Sequence, residues 1–263
     1  MLGAEGAPME LSGRVAVVTG AGSGIGRAIA LELSRLGAAV GLIGRTRATL
    51  DAVAGEAKGE AFVATADVRQ RASVDAALDA VRARLGPLHV VVANAGVGGP
   101  NDLGDGRDRW DEIVRTNLDG AYFTLRAFER NLAPPASWRH AIVISSCVAR
   151  FGVPGISAYS AAKAGQLGLV RSLAVELAPK RVLVNAICPG WVETQMAIDR
   201  MTEIGAGQGK GYAEVRRELL AGVPLQRISE PEEVAGLVSF LLSPAATAFT
   251  GQAFDLNNGA WMG

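Results

Sequence analysis

Seven short apolar runs, most of them rich in Val and Ile, alternate along the chain with longer amphipathic stretches, and this alternation limits the possible folds most sharply. The runs are Val15 to Thr19, Ala39 to Ile43, Ala61 to Thr65, Val90 to Ala93, Ala141 to Ser145, Val182 to Ile187 and Ala253 to Leu256. Their near-continuous apolar character predicts strands covered on both faces, as in a parallel sheet. The stretches between them predict crossover helices over Ile25 to Leu36, Ser73 to Leu85, Trp110 to Leu132, Tyr159 to Leu177 and Pro231 to Leu242. The alternation does not restart and no internal repeat stands out, so residues 1–263 read as a single α/β domain built on a doubly wound, parallel, seven-stranded sheet. Gly205, Gly207, Gly209 and Gly211 punctuate a polar stretch after the sixth run and predict a mobile loop.

Charge and cysteine content narrow the function classes. Lys plus Arg (26) cancels Asp plus Glu (26), so no net field draws the protein to a nucleic acid or an anionic membrane. Val234 to Phe254 is uncharged for 21 residues, long enough to raise the question of a membrane span. Pro244 and scattered Ser and Thr break it, and it reads instead as the end of a buried helix, a loop and a short strand. Met1 to Glu10 lacks the basic and apolar regions of a secretory signal, which makes the cytoplasm the expected compartment. Two cysteines, Cys147 and Cys188, and two histidines, His89 and His140, suffice neither for a disulfide framework nor for a His/Cys zinc site.

The first run leads directly into Thr19-Gly20-Ala21-Gly22-Ser23-Gly24-Ile25-Gly26 and then into a helix. A helix N-terminus offers unpaired N–H groups and a positive dipole end, and glycine lets a pyrophosphate approach them. Gly20, Gly24 and Gly26 follow G-x-x-x-G-x-G rather than G-x-G-x-x-G. A bare glycine cluster would be an ordinary turn; the strand before it and the helix after it favour a dinucleotide. Where an acidic residue would take a ribose 2′-hydroxyl at the end of the second strand, the chain has Gly44, followed by Arg45 and, nearby, Arg47. A 2′-phosphate could be held there by charge-assisted hydrogen bonds, which favours NADP(H) over NAD(H). Solvated loop arginines are the alternative.

Tyr159 and Lys163 lie four apart in a helical pattern and so share one face. The chain has only four lysines against 22 arginines. A free phenol, with a pKa of about 10, exchanges protons poorly at neutral pH, and a nearby ammonium favours its ionised form. Alone, Y-x-x-x-K is equally a surface helix pair.

The wider sequence resembles the short-chain dehydrogenase/reductase family in nearly every segment from about Ser12 onward. T-G-x-x-x-G-x-G matches at Thr19, Gly20, Gly24 and Gly26. Asn94-Ala95-Gly96 follows the fourth strand, Asp67-Val68 the third, and Pro189-Gly190 the sixth, with Val192 and Thr194 beyond. The family's helix asparagine corresponds to Asn117, and its serine, 13 residues before the tyrosine, to Ser146 rather than Ser145.

This resemblance implies a Rossmann-type fold and an enzyme that transfers a hydride between nicotinamide and a carbonyl or alcohol carbon. It assigns Tyr159 as proton donor, Ser146 as the group polarising the carbonyl oxygen, Lys163 as the residue lowering the tyrosine pKa and binding the nicotinamide ribose, and Asn117 as holder of a relay water. It further implies that Gly20, Ser23, Gly24, Ile25 and Gly26 hold the pyrophosphate side, with Arg45 at the 2′-phosphate and Asp67 and Val68 at the adenine. Asn94, Ala95 and Gly96 would line the coenzyme, with Tyr159, Lys163, Pro189, Gly190, Val192 and Thr194 around the nicotinamide half. A homotetramer follows from the same resemblance, with Pro231 to Leu242 and the last strand at one interface and the Trp110 to Leu132 and Tyr159 to Leu177 helices at another.

Two positions depart from the pattern. Ser23 stands where many NADP-preferring members carry a basic residue, and Asn257-Asn258-Gly259 replaces the usual Asp-Gly-Gly. Pro189 to Met196 looks most like ketoreductases that act on 3-oxoacyl groups carried by a protein or coenzyme A, and Gly98-Gly99-Pro100 loosely resembles aromatic polyketide ketoreductases. Met196, Ile198, Met201 and Ile204 form an apolar stripe that predicts a substrate-covering loop at about 191–215, although a helix packed on its own core would show the same stripe. Beside this NADPH-dependent ketoreductase stand two alternatives. One is an NAD-dependent dehydrogenase of a secondary alcohol, sterol or sugar. The other is a cofactor-binding sensor without turnover, which the four filled catalytic positions argue against.

Overall fold

The computed structural model describes residues 10–101 and 108–263. Strands β1 (Val15–Thr19), β2 (Ala39–Gly44), β3 (Ala61–Thr65), β4 (Val90–Ala93), β5 (Arg139–Ile144), β6 (Val182–Pro189) and β7 (Ala253–Leu256) form one sheet in the order β3-β2-β1-β4-β5-β6-β7. Every pairing is parallel. Each predicted run is a strand, and β5 and β6 are longer than their apolar cores because Arg139 and Pro189 still pair with neighbours.

Alternate side chains of each strand enter opposite layers, as the two-residue strand period requires. Val15 and Val17 pack with Leu125, Phe128, Val170 and Leu173, below helices α3 (Arg71–Leu85), α5 (Gly120–Arg130) and α6 (Ser157–Leu177). Ala16 and Val18 pack with Ile29, Leu33, Leu50, Val238 and Leu241, from helices α1 (Gly24–Arg35), α2 (Arg47–Glu56) and α9 (Pro231–Leu242). Burying each large aliphatic or aromatic side chain contributes about 1.5–3 kcal/mol, so two dry layers hold the central strands rigid. The chain passes from β3 at one edge to β4 on the far side of β1. That reversal opens a crevice at the carboxyl ends of β1 and β4, where ligands of such sheets bind.

The helix predicted over Trp110 to Leu132 is interrupted. It consists of α4 (Trp110–Val114), a π-helical turn (Arg115–Asp119) and α5, and the interruption places Asn117 inside the protein. Two further differences concern segments not predicted as helices. Arg47–Glu56 forms α2, and the glycine-punctuated stretch is not a loop but the end of α7 (Gln195–Gln208), a short link and the start of α8 (Tyr212–Ala221). Gly209, at φ 68°, ends α7 in the left-handed conformation that glycine adopts freely. Gly205 lets α7 pack tightly on that link, since a Cβ there would lie 2.5 Å from the Lys210 carbonyl oxygen. The apolar stripe divides accordingly. Met201 and Ile204 enter a small satellite core with Val215, Leu220, Val223 and Ile228, while Met196 stays half exposed.

Val234 to Phe254 resolves into α9, a 3₁₀ turn at Pro244–Ala246 and the start of β7, as expected. Among the described residues no helix is long and apolar enough to cross a membrane. Cys147 and Cys188 are buried free thiols, and no cluster of His, Cys, Asp or Glu among the described residues has the arrangement of a metal site.

Candidate active site

The crevice is built first by backbone. Thr19, at the end of β1, accepts hydrogen bonds on Oγ1 from the N–H groups of Asn94 and Ala95 (both 3.1 Å), and Asn94 Nδ2 donates to the Thr19 carbonyl (2.9 Å). These bonds clamp the loop after β1 to the loop after β4. Gly26 is required by the same packing, because a Cβ there would sit 2.1 Å from the Gly20 carbonyl oxygen. Gly24 has a different reason. Its φ is +51°, and a Cβ would meet only the Thr194 methyl group, at 3.1 Å, so its missing side chain leaves a cradle between α1 and α7. Ser23 makes no side-chain cap and the first turn of α1 carries no acid, leaving that helix terminus to an external anion. A dinucleotide's pyrophosphate fits this cradle.

At the neighbouring strand ends, Gly44 closes β2 without a carboxylate. Arg45 is exposed and has no ion pair among the described residues, whereas Arg47 is tied to Asp51 (2.8 Å). Asp67 is held by Arg69 (2.6 Å), whose guanidinium pushes the carboxyl below its usual range. Val68 is buried against Gly120 at the start of α5.

Ser146, just past β5, is nearly buried, and its Oγ accepts the Val148 N–H (3.4 Å), capping a 3₁₀ turn. Its neighbour Ser145 instead donates to the Lys163 carbonyl (3.0 Å) and serves as packing between β5 and α6. Only Ser146 therefore reaches the phenol of Tyr159, in the first turn of α6. Burial pushes Tyr159 up to about 12, and the Ser146 hydroxyl partly offsets this. Lys163 is 4% exposed and donates from Nζ to the Ile144 carbonyl (2.8 Å). Its ammonium lies 5.5 Å from the centre of the Tyr159 ring, and burial brings its pKa down to about 8. The expected lowering of the tyrosine pKa by the lysine is thus not the dominant effect here. Desolvation moves both groups toward their neutral forms.

Asn117 is fully buried in the π-helical turn. Its Nδ2 donates to the Val97 and Ile113 carbonyls (2.8 Å each), and Gly96 packs on its Oδ1. Its own carbonyl accepts a hydrogen bond from Gln166 Nε2 (2.7 Å). Gln166 was not singled out by sequence. A polar residue in the buried row of α6, between Lys163 and Val170, is the signal that could have found it.

Strand β6 ends at Pro189, and Gly190 follows it beside Asn257, where glycine is needed because a Cβ would approach the Asn257 Cα to 3.0 Å. Val192 is buried, bridged to Ser229, and Thr194 caps α7 while turning its methyl toward Gly24. Ile25 leans on the α1–α9 layer. Gly20, Gly24, Ala95, Ser146, Tyr159, Lys163 and Thr194 therefore converge on one crevice, while Asn94, Val68 and Gly26 brace its walls.

A glycine cradle at a switch point, with a half-buried Tyr159 beside buried Ser146 and Lys163 at the neighbouring strand end, defines the class of a dinucleotide-dependent oxidoreductase. A family model described as Enoyl-(Acyl carrier protein) reductase matches residues 20–260, and the chain belongs to the short-chain dehydrogenase/reductase family, whose members act on carbonyl and alcohol groups. It is 38% identical over 259 residues to 3-oxoacyl-(acyl-carrier-protein) reductase of Pseudomonas aeruginosa, covering 97% of this chain and 100% of that protein. It is also 38% identical to the monensin polyketide synthase putative ketoacyl reductase of Streptomyces virginiae, covering 94% and 96%. A solved variant of actinorhodin polyketide ketoreductase with NADPH superposes at a TM-score of 0.86 with 35% identity, covering 94% and 97%. The protein is an oxidoreductase of ketoreductase type.

Proposed function

We propose that the protein is an NADPH-dependent ketoreductase that reduces the 3-oxo group of acyl thioesters to a hydroxyl. The observation that carries this reading is the convergence of Ser146, Tyr159 and Lys163 at the carboxyl end of β5, at the same edge of the parallel sheet as the Gly24–Thr194 cradle that follows β1 and β6. The relatives support the substrate class, one being a 3-oxoacyl reductase and another a ketoacyl reductase. NADPH bound to the solved relative, and Arg45 beside a carboxylate-free strand end, support the coenzyme.

The bound coenzyme supplies the hydride. This chain's residues do the rest. Tyr159, held protonated by burial, donates its proton to the carbonyl oxygen as negative charge develops there, and the Ser146 hydroxyl hydrogen-bonds the same oxygen. Lys163 orients the nicotinamide ribose and returns a proton to Tyr159. Gly20, Ser23, Gly24, Ile25 and Gly26 take the pyrophosphate side, and Arg45 the 2′-phosphate. Asp67 and Val68 flank the adenine, Asn94 to Gly96 form the floor, and Pro189, Gly190, Val192 and Thr194 border the nicotinamide. Segment 191–215 covers the acyl chain through helix rather than loop, with Met196 facing Gly98 across the mouth, where a Cβ on Gly98 would lie 3.6 Å from its sulfur. In the same reading the protein is a homotetramer, pairing through α9 with β7 and through α4–α5 with α6.

The test is initial rates with NADPH and NADH on acetoacetyl-coenzyme A, an aromatic ketone and a cyclic ketone, for the parent and Tyr159→Phe. Thioester reduction preferring NADPH, abolished in a variant that still folds and binds NADPH, is the expected result. Activity confined to NADH and simple ketones, or substantial turnover in Tyr159→Phe, would overturn it.

A further inference from the structure

The junction of α6, β5 and the π-helical turn holds buried hydrogen-bonding capacity that the protein itself does not use. Lys163 Nζ, an ammonium with three donors, has one protein acceptor, the Ile144 carbonyl. Three residues along the same helix, Gln166 is 1% exposed, and its Oε1 has no partner although its Nε2 donates to the Asn117 carbonyl at 2.7 Å. Residues three apart on a helix lie one above the other, so the spare donors and the spare acceptor share the same buried face. A buried polar atom without a partner costs about 1–3 kcal/mol, and native proteins meet that cost with ordered water.

We propose that Gln166 is a positioning residue for proton delivery: Nε2 fixes the Asn117 carbonyl of the π-helical turn, and Oε1 holds a water that hydrogen-bonds to Lys163. Apolar side chains fill the other buried positions nearby on this helix, Leu167 and Val170 among them, and neither could do this. The amide orientation is fixed, because only the nitrogen can donate to the Asn117 carbonyl. Both donors of Asn117 Nδ2 are committed to the Val97 and Ile113 carbonyls, and its Oδ1, a second buried acceptor without a partner, packs against Gly96, so the two amides are separate acceptors and the Gln166 variants test only the one on α6.

The proposal rests on the reading of Tyr159 as proton donor. In each reduction Tyr159 gives one proton to the carbonyl oxygen and regains one through Lys163. Lys163 takes one from the water at Gln166, and that water takes one from solvent, so one solvent proton is consumed per carbonyl reduced. The titratable groups facing Lys163 are Tyr159 from its own helix and Cys188 from β6; no carboxylate among the described residues perturbs it.

The experiment compares the parent, Gln166→Met and Gln166→Glu in NADPH oxidation with acetoacetyl-coenzyme A across pH 6–10, in H2O and D2O, beside Tyr159→Phe. Gln166→Met keeps length and burial but removes both polar contacts. It is expected to lower kcat roughly tenfold, a small share of the factor general acid catalysis supplies, with KM values within about twofold and an enlarged solvent isotope effect. Gln166→Glu puts a carboxylate beside the ammonium and is expected to move the alkaline limb of kcat up by about one pH unit. Unchanged kcat, isotope effect and pH limb in folded variants that bind NADPH normally would overturn the proposal. If Gln166→Met does not fold, the limb of Gln166→Glu decides alone. A dead Tyr159→Phe beside parent-like Gln166 variants refutes the Gln166 role only; an active Tyr159→Phe refutes the underlying reading and the proposal with it.

Discussion

Lys163→Met is expected to make the protein more stable at pH 7 while removing its activity. Lys163 is 4% exposed, and burial lowers its pKa from 10.5 to about 8. At 1.36 kcal/mol per pKa unit, the folded state bears a penalty of about 3 kcal/mol for keeping the ammonium charged at neutral pH. Methionine removes that charge at similar length but leaves the Ile144 carbonyl without its donor, which costs about 1 kcal/mol. The net gain at pH 7 is about 2 kcal/mol. The pH dependence provides the diagnostic. A lysine pKa that is lower in the folded protein means that the unfolded chain binds more protons between pH 8 and 10.5, so the parent's stability rises relative to the variant across that window. The difference should shrink as pH passes 8 and reverse by about 1 kcal/mol near 10.5, where only the lost hydrogen bond remains. Urea unfolding of both proteins between pH 7 and 10.5 measures it. Taking the difference removes most of the alkaline destabilisation that the raised pKa values of Tyr159 and Cys188 bring to both proteins, leaving only the part by which the Lys163 charge itself lowers Cys188. A variant less stable than the parent at pH 7, or a difference that does not change with pH, would refute the reasoning.

Two further outcomes are expected. Arg45→Ala should raise the KM for NADPH by about 10- to 100-fold, the loss of a charge-assisted hydrogen bond of about 1.5–3 kcal/mol, and leave the KM for NADH nearly unchanged; parallel changes would remove Arg45 from the coenzyme site. Arg139, at the start of β5, is 2% exposed, and its Nε and Nη1 have no hydrogen-bond partner. Arg139→Met should therefore raise stability, on the order of 1–4 kcal/mol in urea unfolding, since it removes a desolvated charge that nothing among the described residues neutralises; lower stability would mean that the guanidinium is paired in solution.

The strands were legible because strands buried on both faces must be apolar throughout, and runs such as Val15 to Thr19 and Val182 to Ile187 have no other economical explanation; their order in the sheet was not read from the sequence. Helix α2 escaped notice because only Leu50 and Val53 of its ten residues are buried, too few to set a helical period. Helices α7 and α8 were hidden by the glycines at the end of α7 and in the link between them, read as breakers although Gly205 is fixed by close packing on Lys210. At the candidate site, the sequence resemblance singled out Tyr159, Lys163 and Ser146, and the structure places the three at the carboxyl end of β5. The family resemblance pointed to Ser146 rather than Ser145, and the Ser145 hydroxyl turns to the Lys163 carbonyl. What spacing could not convey was desolvation, which governs the Tyr159 and Lys163 protons, or the Asn117 carbonyl, a main-chain atom without any signature in sequence.

The most direct test of the central claim is a single turnover with NADPH deuterated at nicotinamide C4 and acetoacetyl-coenzyme A, reading the label in the product by mass spectrometry and NMR. The account predicts a 3-hydroxybutyryl thioester with deuterium on C3 from one of the two C4-labelled epimers and none in Tyr159→Phe. Absence of the hydroxy product in the parent, or a product without deuterium on C3 from either epimer, would contradict it.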